Sequence, residues 1–183
     1  MRGKNVWVGI VIILLIVGAV FMNQSREGQQ QTAKVVEPDR DVKPQEGFAA
    51  PDFTLQSLSG ETVQLYENNG KPSLINFWAS WCPPCKVEMP DLQEAYDTYG
   101  DQVNFLMVDL TFNDDLDEMT QYIESNSFTF PVLLDETGDT ASQYQVVAIP
   151  STYIVDKNGI IVSKVQGAMS REQIQDTMKR LTK

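Results

Sequence analysis

Histidine is absent from all 183 residues. That removes imidazole proton relays, haem ligation through histidine and nearly every zinc or copper site that two cysteines could join. Cysteine is almost absent as well, with only Cys82 and Cys85 in the chain. Without a third or fourth soft ligand a metal site has little support, so neither metal nor other bound cofactor is expected. Positive charge is also scarce: 14 Lys and Arg face 25 Asp and Glu, for a net charge of −11. From Gly47 onward the imbalance is 8 against 20, a net of −12. A surface of that sign is repelled by nucleic acid and by anionic lipid, so no nucleic-acid partner is expected. No internal repeat is visible.

Only one long apolar run is present. Asn5 to Ser25 carries no charge, and Val6 to Met22 is almost wholly aliphatic or aromatic, with Gly9 and Gly18 as the small exceptions. At about 1.5 Å per residue these positions reach roughly 30 Å, the thickness of a bilayer core. Arg2 and Lys4 precede the run, so the C-terminal bulk is expected outside the cytoplasm. A cleaved signal peptide is the competing reading, but the run is long for a signal core and Gly18-Ala19-Val20 matches a small-x-small cleavage site poorly. The expected organisation is a transmembrane signal-anchor over 1–22, a flexible linker over 23–46 and a folded domain over 47–183. The linker carries Gln29-Gln30-Gln31, scattered charge, Pro38 and Pro44, too little apolar surface to order itself.

Within the domain, Asp52 to Gln56 and Thr62 to Leu65 alternate around Ser59-Gly60, a hairpin signature. Ser73 to Ala79 and Val103 to Leu110 are apolar runs of buried-strand length on either side of a helical stretch from about Pro83 to Tyr99. Strand, helix, strand at this spacing is a crossover unit with parallel strands. Leu116, Met119, Tyr122 and Ile123 recur at helical spacing, and Pro131 to Leu134 follows as a short strand. Thr152 to Asp156 and Ile160 to Val165 flank the turn Lys157-Asn158-Gly159 and should pair antiparallel. A last amphipathic helix starts from Ser170 as its N-cap, with Ile174, Met178 and Leu181 on one face. The pattern predicts an α/β domain, a central mixed sheet flanked by helices with an N-terminal β-hairpin extension, preceded by one transmembrane helix.

Two cysteines three apart can be a structural bridge, half of a metal site or a redox couple. A bridge closing so short a loop constrains the unfolded chain little. Position favours the redox couple, because the pair stands where the Ile75-Asn76-Phe77-Trp78 strand ends and a helix begins. At a helix N-terminus Cys82 faces unpaired backbone N–H groups and the positive end of the helix dipole, both of which favour its thiolate. A fall in pKa from about 8.5 toward 7 raises the reactive fraction at neutral pH from a few per cent to about half. Cys82 is therefore the candidate nucleophile, and Cys85, one turn further in, the candidate resolving thiol. Pro83 and Pro84 suit a first helical turn and withhold N–H donors from the Cys82 sulfur.

The stretches Ala50-Pro51-Asp52-Phe53-Thr54-Leu55, Asn76-Phe77-Trp78-Ala79-Ser80-Trp81-Cys82-Pro83-Pro84-Cys85, Glu88-Met89-Pro90 and Ile149-Pro150-Ser151-Thr152 resemble the thioredoxin superfamily. They are closest to its extracytoplasmic, membrane-anchored branch, the ResA/TlpA-like thiol-disulfide oxidoreductases. The resemblance covers roughly Gly47 to Lys183. It implies a thioredoxin-like fold, a redox-active Cys82–Cys85 disulfide and a cis peptide before Pro150. Trp81, Pro83, Pro84 and Ile149 would then border an extended substrate segment. Glu88 matches an acidic residue that the branch keeps near its active site, where it moves protons or raises thiol pKa values, and Pro90 matches a helix-kinking proline. Two departures stand out: Asn76 occupies the place of a buried Asp in cytoplasmic thioredoxins, which shifts proton acceptance from Cys85 onto Glu88, and Ser151 replaces a common Thr.

The resemblance implies a protein-disulfide reductase of exported proteins, apocytochrome c among them, re-reduced by a membrane-embedded thiol-disulfide electron donor. Reduction of other envelope or spore-assembly proteins and oxidative insertion of disulfides are alternatives within the same fold. A peroxidase is disfavoured because Ala79 stands where peroxiredoxins place Thr or Ser, and a copper-handling assembly factor because histidine is missing.

Overall fold

The computed structural model describes residues 41–67 and 69–183. The apolar run expected to cross a membrane lies outside the described residues, as does the expected linker as far as residue 40. Among the described residues no helix is long and apolar enough to cross a membrane.

Seven strands form one sheet: β1 Thr54–Ser57, β2 Thr62–Gln64, β3 Ser73–Trp78, β4 Asn104–Asp109, β5 Val132–Leu134, β6 Ser151–Val155 and β7 Ile161–Gln166, in the order β2-β1-β5-β4-β3-β6-β7. Four helices accompany them: α1 Pro83–Tyr99, α2 Leu116–Ser125, α3 Asp139–Gln143 and α4 Arg171–Leu181. The crossover through α1 makes β3 and β4 parallel, from Ser73 opposite Asn104 to Trp78 opposite Asp109. On its other side β3 runs antiparallel to β6, with Phe77 opposite Ser151. All six residues of β3 are buried, which is why its sequence is a nearly continuous apolar run rather than an alternation.

Strand parity sorts side chains between two cores. Leu74 and Trp78 of β3, with Phe105, Met107 and Ile154, pack against α1, α2 and α4. Ile75 and Phe77, with Leu106, Val108, Tyr153 and Val155, face the other way, toward α3 and the N-terminal segment around Ala50 and Phe53. Asn76 shares the parity of Leu74 and Trp78, so its amide points at α1. In α1 the inward face is Cys85, Glu88, Met89, Leu92 and Ala95, at spacings of three and four. Ser170 caps α4 through a capping box with Gln173, and Ile174, Thr177 and Met178 form its buried face.

The hairpin, the β3-α1-β4 unit, α2, β5, the β6–β7 pair and α4 stand where the sequence pattern predicts them, within a residue or two at the ends. Two elements were not anticipated. A short 3-10 turn, Thr111–Asn113, follows β4, and the five-residue α3 is held by Asp135, whose carboxylate accepts the Thr140 and Ala141 N–H groups at 3.3 and 2.8 Å. Neither is long enough to express a helical period. Ordered structure also begins ahead of the expected boundary at 47. Val42 bridges to Ala49, Lys43 N–H donates to the Ala49 carbonyl at 3.1 Å, and a Glu46 carboxylate oxygen accepts the Lys164 N–H at 2.9 Å. Hydrogen bonds rather than apolar contacts carry this docking, so the polar composition of 41–46 does not reveal it.

Four rings, Phe53, Phe77, Tyr144 and Tyr153, fill the second core. Tyr144 lies 5.3 Å from Phe77 and 4.9 Å from Tyr153, centroid to centroid. The Tyr144 hydroxyl donates to the Pro51 carbonyl at 2.7 Å, tying the N-terminal segment to the sheet. Tyr144→Phe is expected to cost about 1–2 kcal/mol, because a buried carbonyl loses its donor. Chemical denaturation of the oxidised protein checks this, and an unchanged midpoint would show that the bond contributes nothing.

Candidate active site

The site is built at the end of β3. Beyond Trp78 the chain turns through Ala79 and Ser80, and Cys82 N–H donates to the Ala79 carbonyl at 3.2 Å. Cys82 is the N-cap of α1, extended at φ −89° and ψ 107°, and its Sγ accepts the Cys85 N–H at 3.3 Å. Pro83 and Pro84 occupy the first two helical positions, where a missing N–H leaves no helical bond unmade. A disulfide joins Cys82 to Cys85, with the Cα atoms 5.3 Å apart. Cys85 is fully buried and Cys82 nearly so, whereas Trp81, Pro83 and Pro84 are exposed around them. Among the described residues no group of three or more acidic, cysteine or histidine side chains could hold a metal ion.

Glu88 sits one turn beyond Cys85 and is only 1 % exposed. The ordinary expectation for a charged helix residue, a solvated surface position, does not hold. One carboxylate oxygen accepts the Asn76 amide at 2.8 Å and the other accepts the Met169 N–H at 2.7 Å. Asn76 also donates to Thr152 Oγ1 at 2.9 Å. Burial raises the Glu88 pKa above its ordinary value, and the two donors oppose that rise. A titratable carboxyl thus stands in the apolar core that contains both cysteines, bridging β3, α1 and the loop that enters α4.

From the other neighbour of β3 comes the Ile149–Pro150 peptide, which is cis. Because Phe77 pairs with Ser151, Pro150 lies where β3 gives way to the cysteine loop. Pro150 is buried, and half-buried Ile149 packs against the core that holds Cys82 and Cys85. The Ser151 hydroxyl donates to the Ala148 carbonyl at 2.7 Å. All eight residues singled out from the sequence, Trp81 to Cys85 on one side, Glu88 beneath, and Ile149 with Pro150 on the other, therefore gather at one end of the sheet.

A third wall was not anticipated. The turn after β4 grips the two residues that precede Cys82: the Asp114 carboxylate accepts from the Ser80 N–H and, at 2.6 Å, from the Ser80 hydroxyl. Trp81 Nε1 donates to the Asn113 carbonyl at 2.8 Å. Behind them Asp109, fully buried at the end of β4, accepts from Thr111 Oγ1 at 2.8 Å. Burial, then the neighbouring Asp114, pushes the Asp109 pKa up to about 8. The available sequence signal was the polar run Asn113-Asp114-Asp115 shortly after a buried strand, but its partner Ser80 lies 34 residues away.

Residues 47–164 match the AhpC/TSA family. Over 173 residues the chain is 32 % identical to the thioredoxin-like protein YneN of Bacillus subtilis, covering 94 % of this chain and 96 % of that one. The thiol-disulfide oxidoreductase ResA of Bacillus cereus is 27 % identical over 185 residues, covering 100 % of this chain and 99 % of its own. The crystal structure of StoA from Bacillus subtilis superposes with a TM-score of 0.62 at 31 % identity, covering 69 % of this chain and 96 % of that one. With a disulfide-bonded Cys-x-x-Cys pair at the head of α1 in a thioredoxin-like fold, the chain belongs to the AhpC/TSA family and is a thiol-disulfide oxidoreductase of the ResA and StoA type.

Proposed function

We propose that the protein reduces disulfides in exported proteins, apocytochrome c among them, from an extracytoplasmic domain tethered to the cell membrane by its first 22 residues. The observation that carries the reductive reading is the donor poverty around Cys82. Pro83 and Pro84 have no N–H, leaving the Cys85 N–H as the bond on the Cys82 sulfur among the described residues. A dithiol becomes strongly oxidising when its thiolate is heavily stabilised; here stabilisation is limited, and the Glu88 carboxyl opposes it further whenever it is ionised. Oxidation of the pair is thereby favoured.

In the proposed cycle the Cys82 thiolate attacks one sulfur of the substrate disulfide, forming a mixed disulfide and releasing the other sulfur as a thiolate that takes up a proton. Cys85 passes its proton to the Glu88 carboxylate and attacks the Cys82 sulfur, breaking the mixed disulfide and expelling the remaining substrate sulfur as a thiolate that takes up a proton, so that two electrons have moved from the pair to the substrate. The resulting Cys82–Cys85 disulfide is returned to the dithiol by a membrane-embedded thiol-disulfide donor. Trp81, 51 % exposed, with Pro83, Pro84, Ile149 and the backbone ahead of cis-Pro150, would border an extended polypeptide. The tether reading rests on the uncharged stretch 5–25 and on full-length similarity to ResA of Bacillus cereus. A sporulation role has its own support, a 32 % identity over 126 residues to the sporulation thiol-disulfide oxidoreductase A of Bacillus subtilis.

Three measurements test this reading. Equilibration with a dithiol buffer is expected to give a reduction potential near or below about −250 mV, and a value near −120 mV would contradict reduction as the task. Cys85→Ala is expected to accumulate mixed disulfides with exported proteins through Cys82, while Cys82→Ala accumulates none; capture through Cys85 would reverse the assignment. Glu88→Gln removes a negative charge from the site, so the alkylation profile of Cys82 should move to lower pH. An unmoved profile would leave Glu88 a purely structural residue.

A further inference from the structure

Asp109 plays no part in the exchange steps above, yet it is a fully buried acid placed directly behind the segment that leads into Cys82. Trp78 pairs with Asp109 across β3 and β4, and the Leu110 N–H donates to the Trp78 carbonyl at 3.0 Å, so the two chains leave the sheet side by side. The β4 chain then makes its 3-10 turn and returns Asn113 and Asp114 to hold Trp81 and Ser80. Of the Asp109 carboxyl oxygens, Oδ1 accepts from Thr111 and Oδ2 has no donor among the described residues. An ionised carboxylate would leave that buried oxygen without a donor, whereas a protonated one can donate to the Asp114 carboxylate beside it. The charged groups facing Asp109 are Asp114 on the returning turn and Asp135 at the end of β5, both acidic. No lysine or arginine makes an ion pair with any of the three among the described residues.

We infer that Asp109 is a positioning residue for thiol-disulfide exchange: its carboxyl proton, shared with Asp114, locks the turn that clamps Ser80 and Trp81 ahead of the Cys82 sulfur, and loss of that proton releases the clamp. Ionised, Asp109 and Asp114 repel, and among the described residues no lysine or arginine pairs with either. Asp114 is half-buried, the less enclosed of the two acids, and it is Asp114 that holds both hydrogen-bond donors of Ser80. The Trp81–Asn113 bond belongs to the same turn and loosens with it. The raised Asp109 pKa, about 8, sets where release occurs. Because a buried acid with a raised pKa stabilises the fold below its unfolded value, near 4, and loses that contribution as pH rises through its folded value, the locked state is the neutral and acidic one.

The effect on rate rests on Cys82 as the attacking sulfur, but the clamp itself can be read without that assumption. In the oxidised full-length protein neither cysteine titrates. Tryptophan emission followed from pH 6 to 9.5 is expected to show one transition near pH 8, retained in Glu88→Gln and absent in Asp109→Asn, which keeps a neutral donor and acceptor in place. Asp114→Asn removes the facing charge and should move the transition to lower pH, a readout that survives if Asp109→Asn does not fold. A transition that persists unchanged in Asp109→Asn, or is missing from the unmutated protein, overturns the inference. For the exchange reaction, reduction of glutathione disulfide by the reduced protein should level off above about pH 8 while Asp109→Asn continues to accelerate, the two differing severalfold at pH 9. Equal profiles would separate the clamp from the chemistry and overturn the positioning role, leaving the reductase reading intact.

Discussion

The site depends on a junction: a fully buried central strand stops, and within a few residues a helix starts whose first free N–H is given to a sulfur. Cys82 can cap α1 because Pro83 and Pro84 have already removed the donors of the first turn, leaving the Cys85 N–H to point back at Sγ. The same geometry places Cys85 one turn inward, fully buried and within bonding reach of Cys82. A pair that can cycle between disulfide and dithiol needs this asymmetry, one sulfur at the mouth of the helix and one behind it.

Three neighbours of β3 then supply what the junction lacks. From α1 and the loop before α4 comes a carboxyl, Glu88, kept in the core by Asn76 and Met169. The strand β6 brings cis-Pro150 and Ile149 to the same end. Through its following turn, β4 grips Ser80 and Trp81. Strand parity makes this economical, since Asn76, Trp78 and Thr152 can face the cysteines only because Ile75, Phe77 and Tyr153 are packed on the opposite side.

Much of this was legible from local pattern. Residues Trp81 to Cys85 announce themselves because strand, cysteine pair, prolines and helix follow one another without interruption. The hairpins, α2 and the capped α4 were readable because turn residues and apolar period coincide. Resemblance singles out Glu88 as a candidate, but its burial was not legible, because the groups that satisfy it stand 12 and 81 residues away. Asp109 and Asp114 were missed for the same reason: the meaning of an acid at a strand end depends on what folds against it. The five-residue α3 and the docking of 41–46 escaped because hydrogen bonds, not apolar periodicity, hold them.

Of the two sulfurs, Cys82 and not Cys85 should be the one made reactive by the helix mouth. Residue-resolved alkylation of the reduced protein across pH, read by mass spectrometry, tells the two apart. Cys82 is expected to react first and to gain reactivity at a pH below the free-thiol value of about 8.5. Preferential modification of Cys85, or a Cys82 that follows the free thiol throughout, would contradict it.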